Sequence, residues 1–362
     1  MRSDDAALEA VGRARRRAQE MAGDQPLHGP LQGYHHETYV FPLPGGTRRV
    51  KFRELRDGLL WFDRRCFVSE EDLLRTLKGR IASIPDIFDV GGMGLQGFIE
   101  GRTLGRSLLW NAHVPDVVFD QIVDLFQEMV RIPPDMLDVR RRCLPEDRPY
   151  DGDTDGFLHR LIAFMEERVY RSNLWHAGRL FKDLNVNSES FRYLRKHVSG
   201  LTERPFCLLH GDLHRENFVV DREGRLWTID WELAQLGDPL YDLATHLYLM
   251  RYPADQERDM ITEWCRVVEG VRPGSSHGWA SDLPVLLDFK RAQSVFTDVI
   301  RTSMSLSAGP KFNWTLLPGA TRKLQKVLVA GAEPLGLEEV PTPARIMAAL
   351  VRRHRVMNLE FA

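Results

Sequence analysis

The chain has 362 residues, of which 43% are apolar and 28% charged, with a net charge of −2. These are the proportions of a soluble globular protein long enough for two lobes, and the balance argues against a general nucleic-acid or anionic-membrane binder. Cys66, Cys143, Cys207 and Cys265 stand far apart without a C-x-x-C pair, which indicates reduced thiols rather than a disulfide framework or a zinc site. The opening "MRSDDAALEAVGRARRRAQEM" lacks an apolar signal core, and no run reaches about 18 apolar residues, so a cytoplasmic protein is expected.

In chain order, residues 3–22 read as a polar helix opened by Ser3, with acids early and arginines later. Tyr39 to Leu43 and Arg49 to Phe52 read as strands joined by the Pro-Gly-Gly turn at 44–46. A helix is predicted from Ser69 in "SEEDLLRTLKGRI", with Ser69 as N-cap and Leu73, Leu74 and Leu77 as its buried stripe. Short strands follow at "DIFDV" and "MGLQGFIEG", and the Pro- and charge-rich stretch 144–156 reads as a loop. From Val114 helical patterns dominate, in "VPDVVFDQIVDLFQEMVRI", "GFLHRLIAFMEERVY", "ESFRYLRKHV", "LYDLATHLYLM" and "PARIMAALVRRHRVM". The fold class is therefore α+β: a small strand-rich lobe followed by a large, mainly helical one.

Two motif look-alikes fail on context. "GMGLQG" spells G-x-G-x-x-G, but strand and turn follow where a dinucleotide fingerprint needs a helix. "DGDTDG" begins like a calcium loop, yet its twelfth position is Ile162 instead of a bidentate Glu.

The informative stretch is "FCLLHGDLHRENFVV", residues 206–220, where His210, Asp212, His214, Arg215, Glu216 and Asn217 crowd between apolar runs. His210-x-Asp212 has the spacing of an iron facial triad, which would need a distal histidine on a β-barrel, whereas the downstream sequence is helical. A purely structural cluster would suit a lone histidine better than six grouped polar residues. Phosphoryl transfer fits two intervals: Asn217 lies five residues after Asp212, and Asp230 of "LWTIDWE" thirteen after Asn217. An Arg222-to-Gly224 turn makes the flanking strands a hairpin and brings Asn217 and Asp230 to one mouth. A carboxylate and an amide oxygen are hard ligands suited to Mg²⁺, and Asp212 can receive the proton of an attacking hydroxyl.

"HGDLHREN" followed by "IDWE" resembles the catalytic and metal-binding loops of aminoglycoside phosphotransferases and choline-kinase-like small-molecule kinases, with the order and intervals of the protein-kinase H-R-D-L-x-x-x-N and D-F-G motifs. The resemblance implies a bilobal protein-kinase-like fold: an antiparallel-sheet nucleotide lobe over 1–97, a hinge at 98–102 and a helical lobe over 103–362 with the acceptor site. It implies Asp212 as catalytic base, Asn217 and Asp230 as Mg²⁺ ligands, and His210 as a brace for the loop. Lys51 in "RVKFRE" matches the strand lysine that contacts the phosphates of ATP or GTP, and Glu70 the helix glutamate paired with it, Glu71 being the competitor. The backbone of Gly97 and Ile99 matches the purine-binding hinge. Asp242 of "GDPLYDLA" matches a supporting aspartate, and Arg215 is either a γ-phosphate contact or a solvent-facing arginine. The departures are a phosphate loop reduced to Gly33, His214 in place of the protein-kinase lysine, and no Leu-His pair in "DLFQEMVRI".

The implied acceptor is a small hydroxylated molecule, with no nucleic-acid, membrane or obligate protein partner. An antibiotic is the first expectation. Residues 281–362 carry eleven Lys and Arg against seven Asp and Glu, together with Phe312 and Trp314, which suits a nucleoside-type acceptor as well as an aminoglycoside. Glu232 and Asp238 keep the aminoglycoside open. The alternatives are a metabolic kinase acting on a sugar, amino alcohol or homoserine-like compound, and a catalytically silent nucleotide-binding module.

Overall fold

A computed structural model describes residues 2–31, 33, 35–56, 60, 62–107, 112–145, 148–307 and 312–360, with side chains between 12 and 355. Helix α1 (Arg2–Ala22) is followed by a five-stranded antiparallel sheet. Its strands are β1 (His28–Leu31), β2 (His36–Pro42), β3 (Arg49–Leu55), β4 (Ile87–Val90) and β5 (Met93–Gly97), in the order β1-β2-β3-β5-β4. Helix α2 (Glu70–Leu77) lies between β3 and β4 in sequence.

Alternation along β3 organises this lobe. Val50 and Phe52 point to one face, where they pack with Tyr39, Phe41 and Leu95 under Ala14, Ala18 and Ala22 of α1. The alanines recur every four residues, so they share one helix face and let the helix lie close to the sheet. Arg17 of α1 binds both carboxylate oxygens of Glu54 at 2.8 Å. Lys51 and Arg53, the alternate residues of β3, point to the other face. Ser69 accepts the Asp72 N–H at 3.0 Å as the N-cap of α2, and Leu73, Leu74 and Leu77 are buried.

Beyond Gly97 the chain passes β6 (Arg102–Thr103) and α3 (Leu104–Ser107) into the helical lobe. Helices α4 (Asp116–Val130), α5 (Thr154–Phe164), α6 (Leu174–Asp183) and α7 (Glu189–His197) precede the site strands. These are β7 (Cys207–Leu209), β8 (Phe218–Val220), β9 (Leu226–Thr228) and β10 (Gln235–Gly237). Then come α8 (Pro239–Met250), α9 (Ala254–Val271), α10 (Trp279–Ser305), α11 (Leu317–Gly331) and α12 (Pro343–Glu360). One apolar core runs through this lobe and reaches Leu73, Leu74 and Leu77 of α2.

Several expectations shift. Helix α1 already includes Ser3, so Ser3 does not open it, and its side chain lies outside those described. Strand β1 was not predicted: "HGPL" shows no alternation, and all four residues are exposed. The 144–156 loop ends early because Asp153 accepts the Gly156 N–H at 2.8 Å and starts α5. In the same stretch Asp151 accepts the Phe206 N–H and Asp155 those of Gly200 and Leu201, so "DGDTDG" ties backbone together. "GMGLQG" forms β5 and its turn, and β6, not a helix, is the next element after it.

Candidate active site

Strands β8 and β9 pair antiparallel with Phe218 opposite Thr228, and the Ile229 N–H donates to the Asn217 carbonyl at 3.0 Å. Asn217 and Asp230 therefore stand at the same end of one hairpin. The loop before it is held from below by Asp242 of α8, whose two oxygens accept the N–H groups of His210 (2.9 Å) and Gly211 (2.8 Å). Gly211 is required here: its φ is 79°, and a Cβ would come within 2.7 Å of the Leu233 carbonyl. Burial raises Asp242 to about 6 even though both N–H groups favour its charge.

His210 is fully buried and lowered to about 4 by that burial, so it is neutral near pH 7. Its Nε2 meets the Ile229 carbonyl at 3.1 Å, and its Nδ1 accepts the Asp212 N–H at 3.3 Å, which sets the proton on Nε2. The ring thus clamps the Asp212 loop to the strand leading to Asp230. Asn217 Nδ2 donates to the Asp212 carbonyl at 2.9 Å and to its Oδ2 at 3.2 Å. With the amide nitrogen so engaged, Asn217 Oδ1 is the atom left for a ligand. Burial opposes the charge on Asp212, but His214, with Nε2 3.4 Å from Oδ2, holds the carboxyl below its ordinary value. Asp212 is thus an ionised acceptor at neutral pH.

Asp230 has left-handed backbone (φ 66°), a conformation Asp and Asn tolerate better than most side chains. Burial and the neighbouring carboxylates of Glu70 and Glu232 raise it to about 6. One oxygen of each of these three acids lies within 4.8 Å of the others. Arg53 and Arg65 already stand against these acids, and Asp230 with the open Asn217 oxygen makes a hard donor pair suited to Mg²⁺.

Glu70, not Glu71, is the buried glutamate of α2, but its ion-pair partner is a correction. Arg53 binds it through Nη2 and also reaches Glu71 and Asp230, each at 3.4 Å. Lys51, expected to make this pair, has no ion pair among the described residues and acts on Glu70 through its charge alone. Both cations share one face of β3, and Arg53 stands closer to α2. Burial opposes the Glu70 charge, yet the guanidinium takes the carboxyl down to about 2. The second oxygen of Glu70 accepts the Trp231 N–H at 3.0 Å, joining α2 to the residue after Asp230. Lys51 is lowered to about 8 by burial and by Arg53.

Other assignments move as well. Arg215 is buried, with Nε on the Met250 carbonyl (3.1 Å) and Nη2 on the Ala112 carbonyl (2.8 Å), so it does not face solvent. Its guanidinium serves the backbone of the helical lobe. Gly97 donates its N–H to the Asp86 carbonyl at 2.7 Å, which leaves only its carbonyl for a purine, whereas Ile99 has no backbone hydrogen bond among the described residues. Asp238 is fully buried, with Arg204 on its carboxylate at 2.7 Å, and cannot meet an acceptor. Glu232 is held by Arg65 and by His35 at 2.6 Å. It ties His35 and His36, at the start of β2, to the segment just after Asp230, a contact between distant segments that no motif announces.

A sequence profile of the phosphotransferase enzyme family matches residues 28–273, and the chain belongs to that family. Membership makes the protein a small-molecule phosphotransferase acting on hydroxyl groups. Its fold is similar to that of choline kinase LicA from Streptococcus pneumoniae, at TM-score 0.50 and 15% identity over 89% of this chain and 99% of that one. It is similar also to the ADP-bound aminoglycoside phosphotransferase APH(2'')-Ib, at TM-score 0.50 and 14% identity over 89% and 98% of the two chains. Choline kinase from Cryptosporidium parvum Iowa II aligns at TM-score 0.51 and 13% identity over 94% and 98%. At such identities the likeness establishes the bilobal kinase-like fold.

Proposed function

We propose that the protein transfers the γ-phosphate of a Mg²⁺-bound nucleoside triphosphate, ATP or GTP, to a hydroxyl of a small molecule. The observation that carries this reading is the bonded set Asp212–Asn217 at one mouth with Asp230. Residues 1–97 form the nucleotide lobe, 98–102 the hinge and 103–362 the lobe that takes the acceptor. The nucleotide-bound form of a structural neighbour supports the donor class, and the purine rests on the Ile99 N–H and the Gly97 carbonyl.

Asp212 accepts the proton of the incoming hydroxyl, its low pKa keeping it ionised until charge builds on the attacking oxygen. Asn217 orients Asp212 through Nδ2 and offers Oδ1, with Asp230, to the metal. When bound, Mg²⁺ screens the phosphate oxygens and offsets the charge of the transferring group. Lys51 and Arg53 supply the positive side of the donor pocket, Arg53 while tied to Glu70. Catalysis of this kind rests on alignment and electrostatics. The acceptor is an antibiotic or a metabolic hydroxyl compound met in the cytoplasm. The described helices are too short or too polar to cross a membrane.

The test is nucleotide turnover with ³¹P NMR of the products, for wild type and Asp212→Ala. Phosphoester formation by the wild type alone, at unchanged nucleotide affinity, is the expected result. Equal product from both proteins would end the base assignment, and no Mg²⁺-dependent nucleotide binding by either would end the whole reading.

A further inference from the structure

Lys290 of α10 is a buried cation that the mechanism above does not use, and its charge reaches Asp212. Lys290, Gln293, Thr297 and Arg301 follow one another at helical spacing and form a polar stripe on one face of α10. The segment before α2 meets that stripe: Gln293 Nε2 donates to Asp63 Oδ1 at 3.0 Å, and the Arg301 guanidinium lies 4.5 Å from the centre of the Phe62 ring. From α8, Tyr241 places its ring 5.1 Å below the Lys290 ammonium and its hydroxyl 3.4 Å from Nζ.

Only 7% of Lys290 is exposed, and that long contact is its one hydrogen bond among the described residues. An ammonium has three N–H donors, and leaving buried donors unmet is costly unless a ligand meets them. Charge, by contrast, is already balanced. Burial works against the ammonium, but Tyr241, Asp63 and Asp212 keep it protonated, and Lys290 in turn favours the ionised form of Asp212. Among the described residues, what Nζ lacks is further oxygen acceptors within reach, on a side of the lobe where Asp212 feels its charge.

We propose that Lys290, flanked by Gln293 and Asp63, is the specificity-determining residue of an acceptor subsite for molecules carrying a second oxygen beside the reacting hydroxyl, as in a vicinal diol or a hydroxy carboxylate. The assignment rests on the phosphotransferase reading. In the transfer the hydroxyl gives its proton to Asp212 and its oxygen bonds to the γ-phosphorus, while the bond from that phosphorus to the nucleoside diphosphate breaks. Lys290 keeps its protons and donates one hydrogen bond to the neighbouring acceptor oxygen. An amine in that place would set two ammonium groups together, so amino alcohols and polycations are disfavoured.

The experiment measures kcat/KM with sorbitol, glycerate, ethanolamine and kanamycin for wild type, Lys290→Met and Lys290→Arg, beside Asp212-dependent nucleotide hydrolysis and melting temperature. Sorbitol or glycerate is expected to exceed ethanolamine and kanamycin at least tenfold in the wild type. Preference for glycerate marks a carboxylate as the second oxygen, and preference for sorbitol marks a hydroxyl. Lys290→Met is expected to raise the acceptor KM at least tenfold while the nucleotide KM stays within twofold, and Lys290→Arg to restore part of the loss. The wild-type panel decides the acceptor class even where Lys290→Met fails to fold. Ethanolamine or kanamycin as the best acceptor, no turnover of sorbitol or glycerate while hydrolysis persists, or an unchanged acceptor KM in a folded Lys290→Met overturns the inference. Absence of Asp212-dependent hydrolysis in the wild type would instead overturn the phosphotransferase reading beneath it.

Discussion

Lys51 and Lys290 are both withdrawn from solvent, yet their surroundings are opposite in kind. Lys51 has Arg53 two residues along its strand, and burial together with that second cation brings it to about 8. Lys290 faces Asp63 and Asp212 and stays charged despite its burial. One side of the centre sets two cations among the carboxylates of Glu70, Glu71 and Asp230; the other sets one ammonium against Asp63 and Asp212 and, among the described residues, is short of hydrogen-bond acceptors. In the proposed reading a Mg²⁺-bound nucleotide meets the first side, and an uncharged or singly anionic oxygen-rich acceptor meets the second.

The hardest blow to this division is Asp212→Ala. It removes the proposed proton acceptor, and turnover is expected to fall about 10²–10⁴-fold with nucleotide affinity unchanged, read by product formation and calorimetry. Arg53→Ala strikes the donor side alone. Both Arg53 and Glu70 are largely buried, and removing one partner of such a pair costs about 3–5 kcal/mol. Chemical denaturation is expected to record that loss along with weakened nucleotide binding, and an unaltered unfolding midpoint would contradict it.

A pH series sharpens the comparison further. In the proposed reading Lys51 binds phosphate when protonated, and burial with Arg53 lowers it to about 8 in the free protein. Nucleotide affinity is therefore expected to hold from about pH 6, below which Asp230 takes up a proton, to about pH 8, and to decline above it by up to about tenfold per unit. Lys51→Arg is expected to flatten the decline, and a wild-type profile level to pH 10 would refute the assignment. The smallest effect belongs to Asp153→Ala, remote from both lysines. Loss of that cap on α5 is expected to cost about 1 kcal/mol in a melting experiment and to leave turnover alone.

How much of this could be read beforehand follows from sequence distance. Asn217 and Asp230 share a hairpin closed by a short turn, so their meeting was legible, as was Ser69 capping α2 with Leu73, Leu74 and Leu77 buried behind it. On β3, alternation places Lys51 and Arg53 on one face, but only the seat of α2 decides which of them meets Glu70. The burial of Arg215 was hidden for a similar reason: its carbonyl partners, Ala112 and Met250, are 103 and 35 residues away. Helix α10 carries Pro284 and a polar stripe across an otherwise apolar lobe, so no clean periodicity marked it out. Its approach to Asp63 spans 230 residues.

The left-handed backbone at Asp230 bears on how substitutions there sort themselves. In a saturation library, chemistry and conformation impose separate filters on this codon. Asparagine passes the conformational filter and, in the proposed reading, fails the electrostatic one, so a folded, inactive protein is expected. Glutamate keeps the charge but adds a methylene to a torsion that longer side chains resist, and it is expected to be depleted in an abundance screen as well as in an activity screen. Glycine would survive best in abundance and contribute nothing to turnover. Setting the two screens side by side would separate the fold's claim on this residue from the reaction's.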